Sequence, residues 1–437
     1  MHIILLSGGS GKRLWPLSND VRSKQFIRFF PKGNGEYESM VERIYRQITS
    51  TLPQATVTIA TAKSQVSVIH NQLGEKVNVC VEPCRRDTFP AIALASAYLH
   101  DVEKVSKDEI VVVCPVDPFV DDSYFVTLGE LAKRAENGDA HLVLMGIEPT
   151  YPSEKYGYII PETKQRISRV STFREKPTAA VAQQYIDQGA LWNGGVFAYR
   201  LQYVLDKAQK LMGKQSYAEL LEDYPALDKI SFDYAVVEKE PNIEVVRYGG
   251  QWKDLGTWNT LTEAMEERSI GNAVFDEVSS NVHVVNELGI PVLCMGLQNV
   301  VVSLSPDGVL VSDKENSAYM KPYVEKIDQQ IRFAEKSWGT YRVLDEGTES
   351  LTIKAKLMAG HGMDYHSHDL RSEVWTVVEG KGLCTIDGKE TSIEVGQTVV
   401  LPAGCKHRLF ANTDMTVIEV QMGRHISKDD KKKHPLP

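Results

Sequence analysis

Four consecutive apolar residues, Ile3 to Leu6, run straight into a loop with glycine at positions 8, 9 and 11. The apolar run has the length of a buried strand. Three glycines in four positions let the backbone turn sharply and approach a ligand closely. N–H groups exposed in such a loop make a concave anion site. Lys12, Arg13 and Lys24 add positive charge, and arginine can grip a phosphate through paired donors. The string is neither G-x-x-x-x-G-K-[ST] nor G-x-G-x-x-G, because Gly9-Ser10-Gly11 is followed by Lys12-Arg13-Leu14. From residue chemistry alone it reads equally as a tight turn and as a nucleotide loop.

The same rhythm continues. Strand-like runs at 56–60, 77–81, 110–114 and 142–145 alternate with helical patterns at 37–48, 64–73, 90–99 and 124–135. This predicts an α/β fold, a mostly parallel, Rossmann-like sheet covered on both faces, with ligands bound beyond the carboxyl ends of its strands. Gly8 to Arg13, Glu82 to Asp87 and Pro115 to Asp117 all follow strand ends and should converge. From Tyr156 the pattern changes. Runs at 156–160 and 167–173 suggest a smaller β-rich insert, helices return at 178–188, 202–212 and 217–223, and a strand at 243–248 leads into a helix over 256–267. We expect this domain to span residues 1–268. Residues 269–325 form a small β-rich linking segment with the turn Ser305-Pro306-Asp307-Gly308 and no secure repeat period. Residues 326–437 form a second, all-β domain.

At 437 residues the chain exceeds one average core, and its 42% apolar and 24% charged residues are ordinary for a globular protein. A net charge of -9 argues against nucleic acid, so a phosphorylated ligand must meet a local basic patch. The six cysteines show no C-x-x-C pair, which suits reduced thiols. The amino end goes directly into a strand without a signal peptide, and no apolar run is long enough for a bilayer, so a cytoplasmic protein without a membrane partner is expected. The charged tail at 428–434 reads as a solvated, frayed end.

Two aspartates carry the chemistry of the first domain. Asp117 follows the run at 110–114, and Asp254 lies in Trp252-Lys-Asp-Leu-Gly-Thr-Trp258. Each alone could cap a helix or a turn. Together, two carboxylates from separate strand ends can share a Mg²⁺ that also holds nucleotide phosphates. In the last domain His366 and His368 lie on one strand face, and with Glu373 and His407 they make a donor set for Zn²⁺ or another divalent transition metal.

The whole string Gly8-Gly9-x-Gly11-x-Arg13-Leu14-Trp15-Pro16, with Lys24-Gln25-Phe26, resembles the signature of sugar-1-phosphate nucleotidyltransferases, in its mannose-1-phosphate guanylyltransferase branch. Ser23 stands where that branch usually has proline, Asp87 where it has asparagine, and Pro118 where it has histidine. The resemblance implies catalytic roles for Arg13, Lys24, Asp117 and Asp254. It implies a nucleotide site of Leu6, Gly8, Gly9, Gly11, Arg13, Glu82, Arg86, Thr88, Pro90 and Asp117. A sugar-phosphate site is implied at Tyr158, Glu175, Lys176, Asn193, Gly194 and Asp233, with Mg²⁺ on Asp117 and Asp254. The substrates would be GTP and mannose 1-phosphate.

Residues 360–409 resemble a cupin of the type II phosphomannose isomerase kind, which implies a metal pocket for the sugar phosphate and proton transfer with Arg371 as its nearby arginine. Here Asp369-Leu370 are inserted before Arg371, and Val374 replaces a usual histidine. The implied second activity is interconversion of fructose 6-phosphate and mannose 6-phosphate. Two alternatives stay open: a regulatory sugar-nucleotide-binding protein, or a transferase for another sugar 1-phosphate whose non-catalytic cupin serves dimerisation. A homodimer or higher homo-oligomer is expected, since both β segments offer strand edges.

Overall fold

The computed structural model describes residues 1–437 apart from positions 10, 11, 20, 34 and 329 and the side chains of Lys12 and Lys428. It divides into two compact units, one of Met1–Gly11 with Ser23–Glu266, the other of Lys12–Arg22 with Glu267–Pro437. Among the described residues no helix is long and apolar enough to cross a membrane.

The first unit is built on a nine-stranded mixed sheet. Asn78–Glu82, Thr56–Ala62, His2–Leu6 and Ile110–Pro115 lie side by side in that order, all parallel. Leu191–Arg200 comes next, antiparallel to Ile110–Pro115 and to Leu142–Ile147, and Ile243–Tyr248 runs parallel to Leu142–Ile147. Alternate residues feed two cores. Ile3, Leu5, Val112 and Cys114 pack with helices Met40–Thr51 and Asp122–Asn137. Ile4, Val111 and Val113 pack with Thr88–Asp101 and Leu201–Met212. Burial on both faces is why these strands are apolar throughout instead of alternating.

Two expectations are corrected here. The strands Tyr158–Pro161 and Ile167–Arg174 form no separate insert. They extend the main sheet, through Ile243–Tyr248 and Leu191–Arg200. The helix expected over 256–267 is confined to Trp258–Thr262, and Trp252–Asp254 before it is a strand, paired antiparallel with Pro118–Val120.

In the second unit, Ser269–Ile270, His283–Asn286 and Val300–Ser305 stack in parallel, and Gly308–Asp313 closes the sheet antiparallel. Ala273–Phe275 and Val292–Cys294 form a second parallel pair around the core of Val282, Val284 and Val302. Segment Lys12–Arg22 packs on this body. Ser305 Oγ donates to the Pro16 carbonyl at 2.6 Å, and Arg22 makes a two-pronged pair with Glu287 at 2.8 and 2.9 Å. The Trp15 ring lies 2.5 Å from where a Cβ on Gly308 would be, so glycine is required there.

A six-stranded and a five-stranded sheet complete this unit and enclose Trp375, Leu401, Leu409 and Val417. The charged tail is not frayed: Lys431–Lys433 is a strand, antiparallel to His366–His368. Its charges are matched, Lys433 to Asp364 at 2.6 Å and Lys432 to Asp369. Asp430 accepts from the backbone N–H groups of Asp369 and Leu370 at 3.0 and 3.1 Å.

Candidate active site and metal centre

The glycine loop leaves the sheet where Ser7, fully buried, donates its N–H to the Ala60 carbonyl at 2.9 Å. Gln25 Nε2 donates to the Ser7 carbonyl at 3.0 Å, which ties the loop to the stretch after it. Nothing lies within 4 Å of a Cβ built on Gly8 or Gly9, so the loop borders open space. Gly11 lies outside the described residues. Arg13 is exposed, in the segment that groups with the second unit.

Lys24, Asp117 and Asp254 meet. Lys24 Nζ is 2.8 Å from Asp117 Oδ2 and 3.8 Å from Asp254 Oδ1. The cause is the short strand pair, whose register sets Asp254 opposite Pro118, the neighbour of Asp117. Burial alone would raise the Asp117 carboxyl, but the Lys24 ammonium outweighs it and holds it below the ordinary range. Two carboxylates from separate strand ends thus converge on one ammonium.

Next to them opens a cavity of about 200 Å³ lined by Asp117, Tyr156, Glu175, Asn193, Asp233 and Asp254. Strand Leu191–Arg200 shifts register between Asn193 and Phe197, and Gly195 at φ +70° lies in this stretch. Such irregularities re-aim side chains beside active sites. Asn193 Nδ2 donates to Asp233 Oδ1 at 2.7 Å. Burial, then the nearby Glu175 charge, pushes the Asp233 carboxyl up to about 7. Glu175 is paired with Lys176 Nζ at 2.6 Å. A Cβ on Gly157 would lie 2.5 Å from Glu175 Oε2, so this glycine, missed in the sequence, makes room for that carboxylate. Tyr158 is fully buried, its hydroxyl donating to the Ser153 carbonyl at 3.0 Å, and Tyr156 lines the cavity in its place.

Beyond strand Asn78–Glu82 the expected nucleotide residues are tied to the wall around Tyr224. The Tyr224 hydroxyl donates to Glu82 at 2.8 Å, and Arg86 donates to the Pro225 carbonyl. Thr88 Oγ1 accepts from the Phe232 N–H at 2.8 Å, and Pro90 is buried in the helix that starts there. Leu6 sits between Ala60 and Pro115 in the sheet register.

In the second unit His366, His368 and His407 are buried, and one ligand atom from each lies within 4.8 Å of the others. Nδ1 of His366 is 2.7 Å from the Asp364 carbonyl, and Nδ1 of His407 is 3.0 Å from that of Cys405. These bonds assign the proton to Nδ1 and the lone pair to Nε2. Nε2 of His407 is a buried polar atom without a hydrogen-bond partner. Burial, then the Lys431 charge, pulls His366 down to about 3, and burial takes His368 to about 4. Glu373 lies 3.2 Å from His368 Nε2 and accepts from Arg371 Nε at 3.0 Å and Trp375 Nε1 at 3.2 Å. Arg371 also reaches His368 Nε2 at 2.9 Å.

Residues 2–269 match the family model described as nucleotidyl transferase. The chain belongs to the nucleotidyl transferase family. Residues 325–434 match a second model, mannose-6-phosphate isomerase C-terminal. Among curated relatives of this nucleotidyl transferase is the xanthan biosynthesis protein XanB of Xanthomonas campestris pv. campestris, 30% identical, the match covering 98% of this chain and 96% of that one. The mannose-1-phosphate guanylyltransferase of Escherichia coli K12 is 29% identical, with 98% and 97% covered. A crystal structure described as a mannose-1-phosphate geranyltransferase from Thermus thermophilus superposes with a TM-score of 0.63 at 28% identity, over 74% of this chain and 98% of that one.

Proposed function

We propose that this nucleotidyl transferase moves a guanylyl group from GTP to mannose 1-phosphate, giving GDP-mannose and pyrophosphate. The observation that carries this reading is the meeting of Asp117, Asp254 and Lys24 beside the cavity of Glu175, Asn193 and Asp233. A phosphate oxygen of the sugar phosphate attacks the α-phosphorus, the new O–P bond forms, and the α–β bridging bond breaks. Such a transfer depends on alignment and charge neutralisation. Mg²⁺ held by Asp117 and Asp254 would supply the divalent charge at the phosphates. Lys24 then turns its ammonium to the reacting phosphate oxygens. Glu175 and Asn193 take sugar hydroxyls, Lys176 the sugar phosphate, and the Gly8–Gly9 backbone the triphosphate. The relatives named as guanylyltransferases support the choice of substrates. A pyrophosphate-release screen over four nucleotides and several sugar 1-phosphates tests it. Turnover with GTP and mannose 1-phosphate below that of another pair would reassign the substrates.

The convergence of three buried histidines favours a second reading, in which they hold a divalent transition metal and the last domain interconverts fructose 6-phosphate and mannose 6-phosphate. Zn²⁺ suits this donor set, and bound metal would polarise the sugar carbonyl. Arg371, fixed by Glu373, holds the substrate's negative charge. Both activities belong in the cytoplasm, where their phosphorylated substrates reside, and the exposed Val309 and Val311 on an edge strand suit a homo-oligomer. Metal analysis and a coupled isomerase assay on the full chain test this second reading, and a metal-free, inactive protein removes it.

A further inference from the structure

The carbonyl of Gly9 receives two side-chain donors from distant parts of the first unit. Ser23 Oγ donates to it at 3.1 Å, and Arg85 Nη2 donates to it at 3.1 Å. Ser23 is itself fixed. Gln65 Nε2 donates to Ser23 Oγ at 2.6 Å, and Thr61 Oγ1 donates to Gln65 Oε1 at 2.6 Å. Ser23 and Gln65 are buried, whereas Gly9 and Arg85 are exposed. The relay therefore runs from strand Thr56–Ala62, through the core, to the surface loop.

An anion loop made of glycines has a specific weakness. Nothing lies within 4 Å of a Cβ built on Gly8 or Gly9, and Gly9 has φ +141°. Glycine peptides reorient readily, and a reoriented peptide presents a carbonyl oxygen to the phosphate where an N–H is needed. Two donors on the Gly9 carbonyl keep its negative end turned onto Ser23 and Arg85. We propose that Ser23 and Arg85 are positioning residues, a two-donor clamp on the Gly9 carbonyl that holds the glycine loop in its phosphate-binding orientation. This rests on the nucleotide reading of the loop. Arg85 thereby takes a part in the site, while neighbouring Arg86 is turned to the Pro225 carbonyl.

Equilibrium titration of the full chain with GTP, by calorimetry, tests the clamp through Ser23→Ala, Arg85→Ala, the double variant and Arg85→Gln. Each single alanine variant leaves one donor and should weaken GTP about fivefold. The double variant frees the carbonyl and should weaken GTP well beyond the product of the two, roughly 100-fold or more. Arg85→Gln keeps a donor without the charge and should recover most of the loss. In turnover, KM for GTP should rise while kcat and KM for mannose 1-phosphate change little. Losses that multiply simply, or a glutamine variant as weak as the alanine one, overturn the clamp while wild-type binding leaves the nucleotide reading standing. A wild-type chain that binds no GTP removes both.

Discussion

Lys24 Nζ sits 2.8 Å from Asp117 and 3.8 Å from Asp254, at the place where two carboxylates of the first unit converge. An ammonium there neutralises charges that a divalent cation would otherwise share. On the proposed reading, Asp254→Ala should lower pyrophosphate release by about a thousandfold or more, because it would remove one of two metal ligands and leave Asp117 as the remaining carboxylate beside Lys24. Circular dichroism should be unchanged, since Asp254 is partly exposed. Undiminished release in that variant would count against the metal assignment.

Asp233 makes a pH prediction. Its carboxyl is raised to about 7 in the folded chain, above the ordinary 3.8, by burial and by Glu175. The folded state then binds more protons than the unfolded state between about pH 4 and 7, so this group's contribution to stability is full near pH 4 and is lost as pH rises through 7. Asp233→Asn mimics the neutral form. It should raise the Tm over wild type at pH 8, by the equivalent of about 2 kcal/mol, with the gain shrinking toward pH 4. A pH-independent difference in thermal scans would contradict the shift.

Much of this arrangement was legible in the sequence, for stated reasons. The parallel strands showed as apolar runs because both faces are buried, and the loops after them lie at carboxyl ends by topology, which placed Gly8, Glu82 and Asp117 correctly relative to the sheet. Tyr156 and Tyr158 would share a face if both lay in one strand, but the strand begins at Tyr158, so Tyr156 lies before it and lines the cavity while Tyr158 is buried. The parallel stacking of residues 269–305 leaves no fixed period in the sequence because its rungs differ in spacing, Ser269 opposite Val284 but His283 opposite Val301. Lys431–Lys433 was hidden by charge: three lysines look solvated until their partners Asp364 and Asp369 are known.

The three histidines predict a metal measurement. Burial pulls His366 down to about 3, so its Nε2 lone pair remains available in mildly acidic solution. Elemental analysis after dialysis against zinc should find about one equivalent per chain in wild type. His407→Ala, which deletes its Nε2, should retain little. Equal metal in both proteins would place the ion elsewhere.

The inserted Asp369-Leu370 pair gives the last prediction. Asp430 accepts from both of its backbone N–H groups and lies 3.8 Å from Arg371 Nη1, so one carboxylate ties the insert, the tail strand and the arginine that contacts Glu373. Asp430→Ala leaves two N–H groups without their acceptor, a loss of about 2 kcal/mol. Hydrogen exchange should show protection falling at residues 369–370 and along Lys431–Lys433 together, because the strand is anchored through this carboxylate. Asp430→Asn keeps one acceptor oxygen and should fall between. If the tail strand keeps full protection in the alanine variant, its pairing with His366–His368 holds without the carboxylate, and Arg371 is positioned by Glu373, His368 and the Ser427 carbonyl.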